Sequence, residues 1–489
     1  MKIPRLDRAR TFAGILLFGL LAMTARNAVD PDLWWHIRTG EWIVQTGHIP
    51  HTDSFSFTRA GSPWVAHEWV SEVVFYGISK YLGTAGLILF AAMVTTAGFL
   101  ILYWRCRAKP HWAAAAVALG ALAAAPAWGV RPQMFTFLFA SLLLWLLERG
   151  QDHPRLLLWI PPLFVLWLNL HAGFALGPAL ILAYIIGMIS ESALGETGWQ
   201  EVRSQIGRLA LAFVACLALI PLNPSGAELY RYPLQVLRSA GMRSFIVEWF
   251  PPDFHQLRYL PVFLIWTALL IALRTLSSRP KSRLLFPLLM TFLASLDAVR
   301  HIPIFVLLAT PVIAVALSEV ASARSVGSSR RTTGSPRLQL AFRVSILVLM
   351  AGFAMTRCLD LVRRQSQTEA EMFPTRAIDF LHSHPQPSRL FIYYDWGGYA
   401  VARLYPEYRV FVDGRADLYG DAILHQFQQT IQLQTGWRQV LEQSGIQSIL
   451  VPPSSALAQG LFLDPGWHAE YTDSQAVLFV PHPAEKAPY

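Results

Sequence analysis

Charge is what this sequence has least of. Only 15% of its 489 residues are Asp, Glu, Lys or Arg, against about a quarter in ordinary soluble domains. Cysteine is nearly absent too. The three present, Cys106, Cys216 and Cys358, show no paired spacing and no CxxC, so neither a disulfide framework nor a zinc ribbon is supported. Walker, GxGxxG and GxSxG signatures are missing, which removes the usual nucleotide-binding and serine-hydrolase chemistry. Without HExxH, a zinc peptidase is disfavoured. What fills the chain is apolar: 54% of residues, with a mean hydropathy of +0.39. Disorder and collagen-like repeats are excluded by the same figures, and an integral-membrane protein is the expected class.

Eleven apolar runs stand out, at 11–24, 84–104, 112–128, 134–147, 156–168, 174–189, 209–222, 259–273, 284–296, 302–317 and 344–355. Several fall short of the ~20 residues of a straight span, so flanking Trp, Tyr, Pro and Arg must complete them. The first follows Lys2, Arg5, Arg8 and Arg10 and lacks a convincing cleavage site, so it is expected to stay as a signal anchor. The net charge of +9 gains meaning from its placement. With the N-terminus in the cytoplasm, the inside segments hold 20 basic residues and the outside loops 10. That follows the positive-inside rule, so the excess is a topology signal and no nucleic-acid partner is expected.

An odd number of spans puts 357–489 outside, where composition turns soluble. Helices are expected at 376–384, 422–433 and 437–443, and strands at 390–394, 408–412, 448–451 and 476–480. The alternation suggests a small α/β domain. Residues 1–356 then form a transmembrane domain with two long outer loops, 26–83 and 223–258. The Ser/Arg/Gly-rich link at 322–334 reads as a flexible cytoplasmic loop.

The first long loop opens Asp30-Pro31-Asp32-Leu33-Trp34-Trp35-His36. These residues fit a solvated aromatic belt, or a carboxylate at the membrane surface acting as a base or holding a divalent cation such as Mg or Mn. Asp32 and His36, with Glu248 of the second long loop, are the candidate ligands. Glu248 fits better an interfacial helix with one charge towards water. Arg131, His171, Arg300 and His301 lie in turns expected to face outside. Each could simply snorkel. Gathered at one depth they could bind a phosphate, since guanidinium matches phosphate oxygens in pairs. In the C-terminal part, Tyr393-Tyr394-Asp395-Trp396-Gly397-Gly398-Tyr399 and Val412-Asp413-Gly414-Arg415-Ala416-Asp417 suit either a turn or a polar pocket.

These residues carry a resemblance. Asp32-Leu33-Trp34-Trp35-His36-Ile37-Arg38, with the later His48-Ile49-Pro50-His51 and Asp53-Ser54-Phe55, resembles the acidic first-loop motif of the oligosaccharyltransferase catalytic subunit. Tyr393 to Tyr399 resembles that subunit's WWDYG motif. The layout is similar to the GT-C superfamily of polytopic glycosyltransferases, which use polyprenyl-phosphate-linked sugars on the non-cytoplasmic side of the membrane. The chain departs from the subunit in having no second DxD in the third-to-fourth connection and about two fewer spans.

The resemblance implies a GT-C-like helical membrane protein with about 11 spans and an extracytoplasmic α/β domain, set in a bacterial inner membrane. It implies transfer of a sugar from a polyprenyl-phosphate-linked donor to a glycan, lipid or protein acceptor. Asp32 would be the catalytic or metal-holding carboxylate, and Tyr394, Asp395 and Trp396 would contact the acceptor. The mechanism expected from these residues has Asp32, with Asp30, take the acceptor proton or position a divalent cation. Arg131 and Arg300, with His301 and His171, would meet the donor phosphate. A non-enzymatic carrier of lipid-linked sugars or polysaccharide, and an assembly protein that binds glycan, remain as alternatives. Ionisable groups at the rim rather than mid-span favour surface chemistry over translocation.

Overall fold

The computed structural model describes residues 7–324 and 335–482. Lys2, Arg5, Arg330 and Arg331 of the charge pattern, and the link at 322–334 from 325 onward, lie outside the described residues.

The chain is mostly helical, and each of the eleven apolar runs falls on helix. Among the described residues, seven helices are long and apolar enough to cross a membrane. The protein is a polytopic helical membrane protein with a small C-terminal sheet. Two compact units divide it. The first takes the described parts of 1–26, 88–223 and 247–362. The second takes 27–87, 224–246 and 363–489, so segments of both long loops belong to the same unit as the sheet.

In the first unit, small and hydroxyl residues join the helices, as is usual where lipid offers no hydrophobic drive between them. Thr24 and Thr96 meet at 3.2 Å, and Ser141 donates to the Gly98 carbonyl at 2.9 Å. Two cations are satisfied deep inside. Arg105 bonds Glu148 at 2.7 Å and the Leu307 carbonyl at 2.8 Å. Arg283 bonds Glu191 through its backbone N–H at 3.1 Å and through Nε at 2.6 Å. Buried charges persist only when paired in this way.

The second unit is built on a five-stranded sheet: β1 (Arg389–Ile392), β2 (Arg409–Val410), β3 (Ser448–Val451), β4 (Trp467–Thr472) and β5 (Val477–Pro481). Its order is β2-β1-β3-β5-β4. The first three strands run parallel, and β5 pairs antiparallel with both β3 and β4. Every residue of β3 is buried, as expected for a central strand covered on both faces.

Several elements differ from the sequence expectation, among them the helices Pro31–Thr46 and Ala456–Phe462, which it does not place. The first strand ends at Ile392, and Tyr394–Leu404 is a helix. Gly397 and Gly398 argue against helix by propensity, but close packing overrides it: a Cβ on Gly398 would run into the Pro31 carbonyl oxygen. The edge strand β4 is not expected from the sequence. Its residues Trp467-His468-Ala469-Glu470-Tyr471-Thr472 do alternate apolar and polar, but the strand is half-exposed to exposed throughout and lacks the continuous apolar run that marks β3 and β5.

The first long loop is woven into this sheet. Phe57 donates to the Val410 carbonyl at 3.1 Å, and Val410 donates to that of Phe55 at 3.2 Å, which lines the outer edge of β2. Phe55 and Trp64 are buried in one core with Leu390, Ile392 and Leu478. Each large ring contributes roughly 2–3 kcal/mol by leaving water.

Candidate active site

The helix Pro31–Thr46 carries the first-loop acids. Asp30 is its N-cap, and its side chain accepts from the Asp32 N–H at 3.0 Å. Pro31 fills the first helical position, where its fixed φ costs nothing. Asp32 follows in the first turn, where the helix dipole favours an anion. Its Oδ1 accepts from Trp35 Nε1 at 3.2 Å.

Three segments close on Asp32 within the second unit. A Cβ on Gly414 would overlap Asp32 Oδ1, so only glycine lets the 413–415 turn lie against the carboxylate. Tyr394 lies nearby, edge-on to Phe245 at 4.8 Å. Burial, and then the carboxylates of Asp32, Asp413, Asp395 and Asp417, push the Tyr394 hydroxyl well above the ordinary phenol range. The surrounding protein, and then the charge of Asp30, push Asp395 up. Asp32, Tyr394 and the 413–417 turn thus form one acidic wall.

Trp396 is spent on the core. It is 5% exposed and donates Nε1–H to the Met372 carbonyl at 3.1 Å. Trp34 stands edge-on to Tyr399 at 4.8 Å. The surface part of the motif is therefore Tyr394 and Asp395.

Two buried polar groups support the wall. Arg415 is 1% exposed. It bonds Asp413 at 2.9 and 2.6 Å and Asp53 at 2.8 Å. It also lies over Trp64 at 4.6 Å, and the Tyr419 hydroxyl donates to Asp413 at 2.8 Å. Beside it, Glu68 bridges two imidazoles, with Oε1 3.1 Å from His67 and Oε2 3.6 Å from His36. His36 Nδ1 lies 3.7 Å from Glu72. Burial works against a charged His67, but Glu68, and then Asp417, outweigh it and raise the ring to about 9. The sequence marks Asp53 and Glu68 as ligand-capable groups and Arg415 as part of a turn or polar pocket, but not that Arg415 and Asp53 pair. The local signal is a charged group inside an aromatic run, such as Trp64-Val65-Ala66-His67-Glu68-Trp69.

The other candidates belong to the first unit. Arg131 pairs with Glu248, and Gln133 donates to the second oxygen of that carboxylate at 3.4 Å. Arg300 lies over Trp249, 4.2 Å from the ring centre, and His301 is edge-on to it at 6.0 Å. His171 Nδ1 accepts from the Gly173 N–H at 3.0 Å. The Thr136 hydroxyl, which accepts from Trp167 Nε1 at 2.8 Å, lies 2.7 Å from the same nitrogen. His171 is thus oriented through Nδ1 by the Gly173 N–H and the Thr136 hydroxyl. Asn169 and Asn223 pair beside it at 3.2 Å.

Among the described residues, no group of three or more His, Cys, Asp or Glu is arranged to hold a metal ion. His36 is set between Glu68 and Glu72, and Glu248 is set on Arg131. Two of the three candidate ligands, His36 and Glu248, are thus already engaged with other side chains.

No protein-family model matches the sequence, and no curated protein matches it. Solved structures do. The oligosaccharyltransferase AglB of Archaeoglobus fulgidus, solved with an inhibitory peptide and a dolichol-phosphate, aligns at a TM-score of 0.53 with 13% identity, over 92% of this chain and 70% of its own. ArnT of Cupriavidus metallidurans, bound to undecaprenyl phosphate, aligns at 0.50 with 16% identity over 96% of both chains. The mycobacterial arabinofuranosyltransferase AftD aligns at 0.51 with 14% identity, over 96% of this chain and 41% of its own. All three are GT-C glycosyltransferases, and the chain has a GT-C-like fold, as the sequence resemblance implied.

Proposed function

We propose that this GT-C-like protein is an integral-membrane glycosyltransferase that moves a sugar from a polyprenyl-phosphate-linked donor to an acceptor hydroxyl or amide on the outer face of a bacterial inner membrane. The observation that carries the reading is Asp32 itself, an acid in a helix first turn, held by Trp35 and closed over by Gly414 beside Tyr394. Such a carboxylate is oriented, partly covered and able to take a proton.

In the second unit, Asp32 is the base that removes the acceptor proton, and Asp30 holds it in place as the helix cap. Tyr394 and Asp395 hold the acceptor, and Trp396, packed in the core, fixes the helix that presents them. The acceptor atom forms a bond to the sugar's anomeric carbon as the bond from that carbon to the phosphate oxygen breaks. The phosphate leaves with the electron pair. In the first unit, Arg131 and Arg300 neutralise the charge developing on it, and His171 adds a further contact. Electrostatic help of this kind is usually the largest catalytic contribution. No nucleotide sugar is needed, in keeping with the missing glycine-rich loop.

Transfer of labelled sugar from total polyprenyl-phosphate-linked donors by the purified protein tests the proposal. Asp32→Ala is expected to lose at least about a thousandfold in turnover while inserting and melting like wild type. Normal activity in that variant removes Asp32 from the role. Donor lipid bound without transfer by wild type points instead to a carrier or binding protein. An EDTA arm, with loss of activity restored by Mg or Mn, would assign a cation to the reaction.

A further inference from the structure

The arginines assigned above to the donor phosphate are already met by a carboxylate. Glu248 lies in the short turn Val247–Trp249 of the first unit and pairs with Arg131 Nη1. Its other oxygen accepts from Gln133 at 3.4 Å. The next residue, Trp249, lies beneath the Arg300 guanidinium at 4.2 Å. The Phe250 carbonyl accepts from Val299 N–H at 3.0 Å, which ties this turn to the segment carrying Arg300 and His301. Burial favours a neutral Glu248, yet Arg131, then Arg300, hold its carboxyl below the usual range. One anion therefore faces two guanidiniums that come from turns distant in sequence.

A guanidinium reads a carboxylate and a phosphate in much the same way, as paired oxygens in its plane. A carboxylate placed against such a pair occupies the position a phosphate oxyanion would take. We propose that Glu248 is a built-in surrogate anion that holds the Arg131–Arg300 pair in the resting protein and must be displaced by the phosphate of an incoming polyprenyl phosphate. The proposal rests on the donor reading above and deepens it. Without lipid, the pair keeps the two arginines ordered and spares them uncompensated charge. With lipid, the phosphate takes Arg131, and the turn 247–250 is released from one of its anchors. Apparent affinity is lowered by the fraction of time that Glu248 holds the site.

Binding of a polyprenyl monophosphate to the purified full-length protein, at low salt, tests this. Glu248→Gln keeps the shape and removes the charge, so it is expected to bind about fivefold more tightly than wild type. Arg131→Ala is expected to bind more weakly, and the gain from Glu248→Gln to vanish in its background. Inorganic phosphate showing the same gain would assign the effect to the phosphate group alone and support the proposal. The same gain with polyprenol, which has no phosphate, overturns it. Unchanged or weaker binding by Glu248→Gln, with Arg131→Ala still impaired, overturns the surrogate role and leaves the phosphate site standing. Wild-type binding by both Arg131→Ala and Arg300→Ala overturns the phosphate site, and the surrogate with it.

Discussion

At the scale of single residues, the site depends on atoms that are missing as much as on those present. Gly414 contributes only the lack of a side chain, and that lack is where Asp32 Oδ1 lies. The atom a new Cβ would meet is the far end of a side chain, so Gly414→Ala should displace the carboxylate and leave the backbone in place. A displacement of about 1 Å costs on the order of a hundredfold in rate. Gly414→Ala is therefore expected to lose about that much turnover with a thermal midpoint close to wild type, and equal losses in both would make the glycine merely structural. Asp32, an acid beside three tryptophans, was ambiguous by itself and fitted an interfacial aromatic belt as well; the likeness of the first-loop motif is what singled it out. The Asp30-Pro31 pair is also a legible cap signal, although it reads as a second acid until the helix is seen. Tyr394 was legible as part of a motif, but not as the opening of a helix, because its two glycines serve a close approach that only the folded chain reveals.

At the scale of elements, the second unit is stitched together by the Arg415 cluster. This one guanidinium joins the turn after β2 to the first long loop through Asp53 and stacks on Trp64 and Phe55. Arg415→Met would leave Asp53 and Asp413 buried without their cation, a defect of about 3–5 kcal/mol. Limited proteolysis should then cut the 47–68 segment readily, and melting of the purified variant should lose its cooperative transition. Protection equal to wild type would show that the loop is held by its rings alone. Helix and strand placement was most legible where a run is continuous: Trp437–Gln443 and Ser448–Val451 carry the bounds expected from sequence. The pairing of Arg415 with Asp53 could not be read, because no local pattern marks partners 362 residues apart.

At the scale of the whole molecule, the long apolar runs made the membrane class plain, and the GT-C-like fold follows from the structural likenesses. How segments of both long loops would join the sheet is not written in composition, since it depends on contacts made only once the chain is complete. The charge asymmetry predicts a topology that labelling can check. A membrane-impermeant maleimide should reach Ser474→Cys in intact cells and Ser278→Cys only after permeabilisation, both positions being exposed; the reverse pattern would invert the orientation. The loop segment lining the edge of β2 has one more consequence, which concerns time. Phe55 and Asp53 leave the ribosome some 350 residues before Val410 and Arg415, so for most of synthesis the loop that bears Asp32 has no partner to fold on. Non-local closure of this kind comes late and slowly. The carboxylate is thus set in place only as the last part of the chain arrives, and with Asp32 as the proposed base a nascent or truncated chain is expected to be chemically silent.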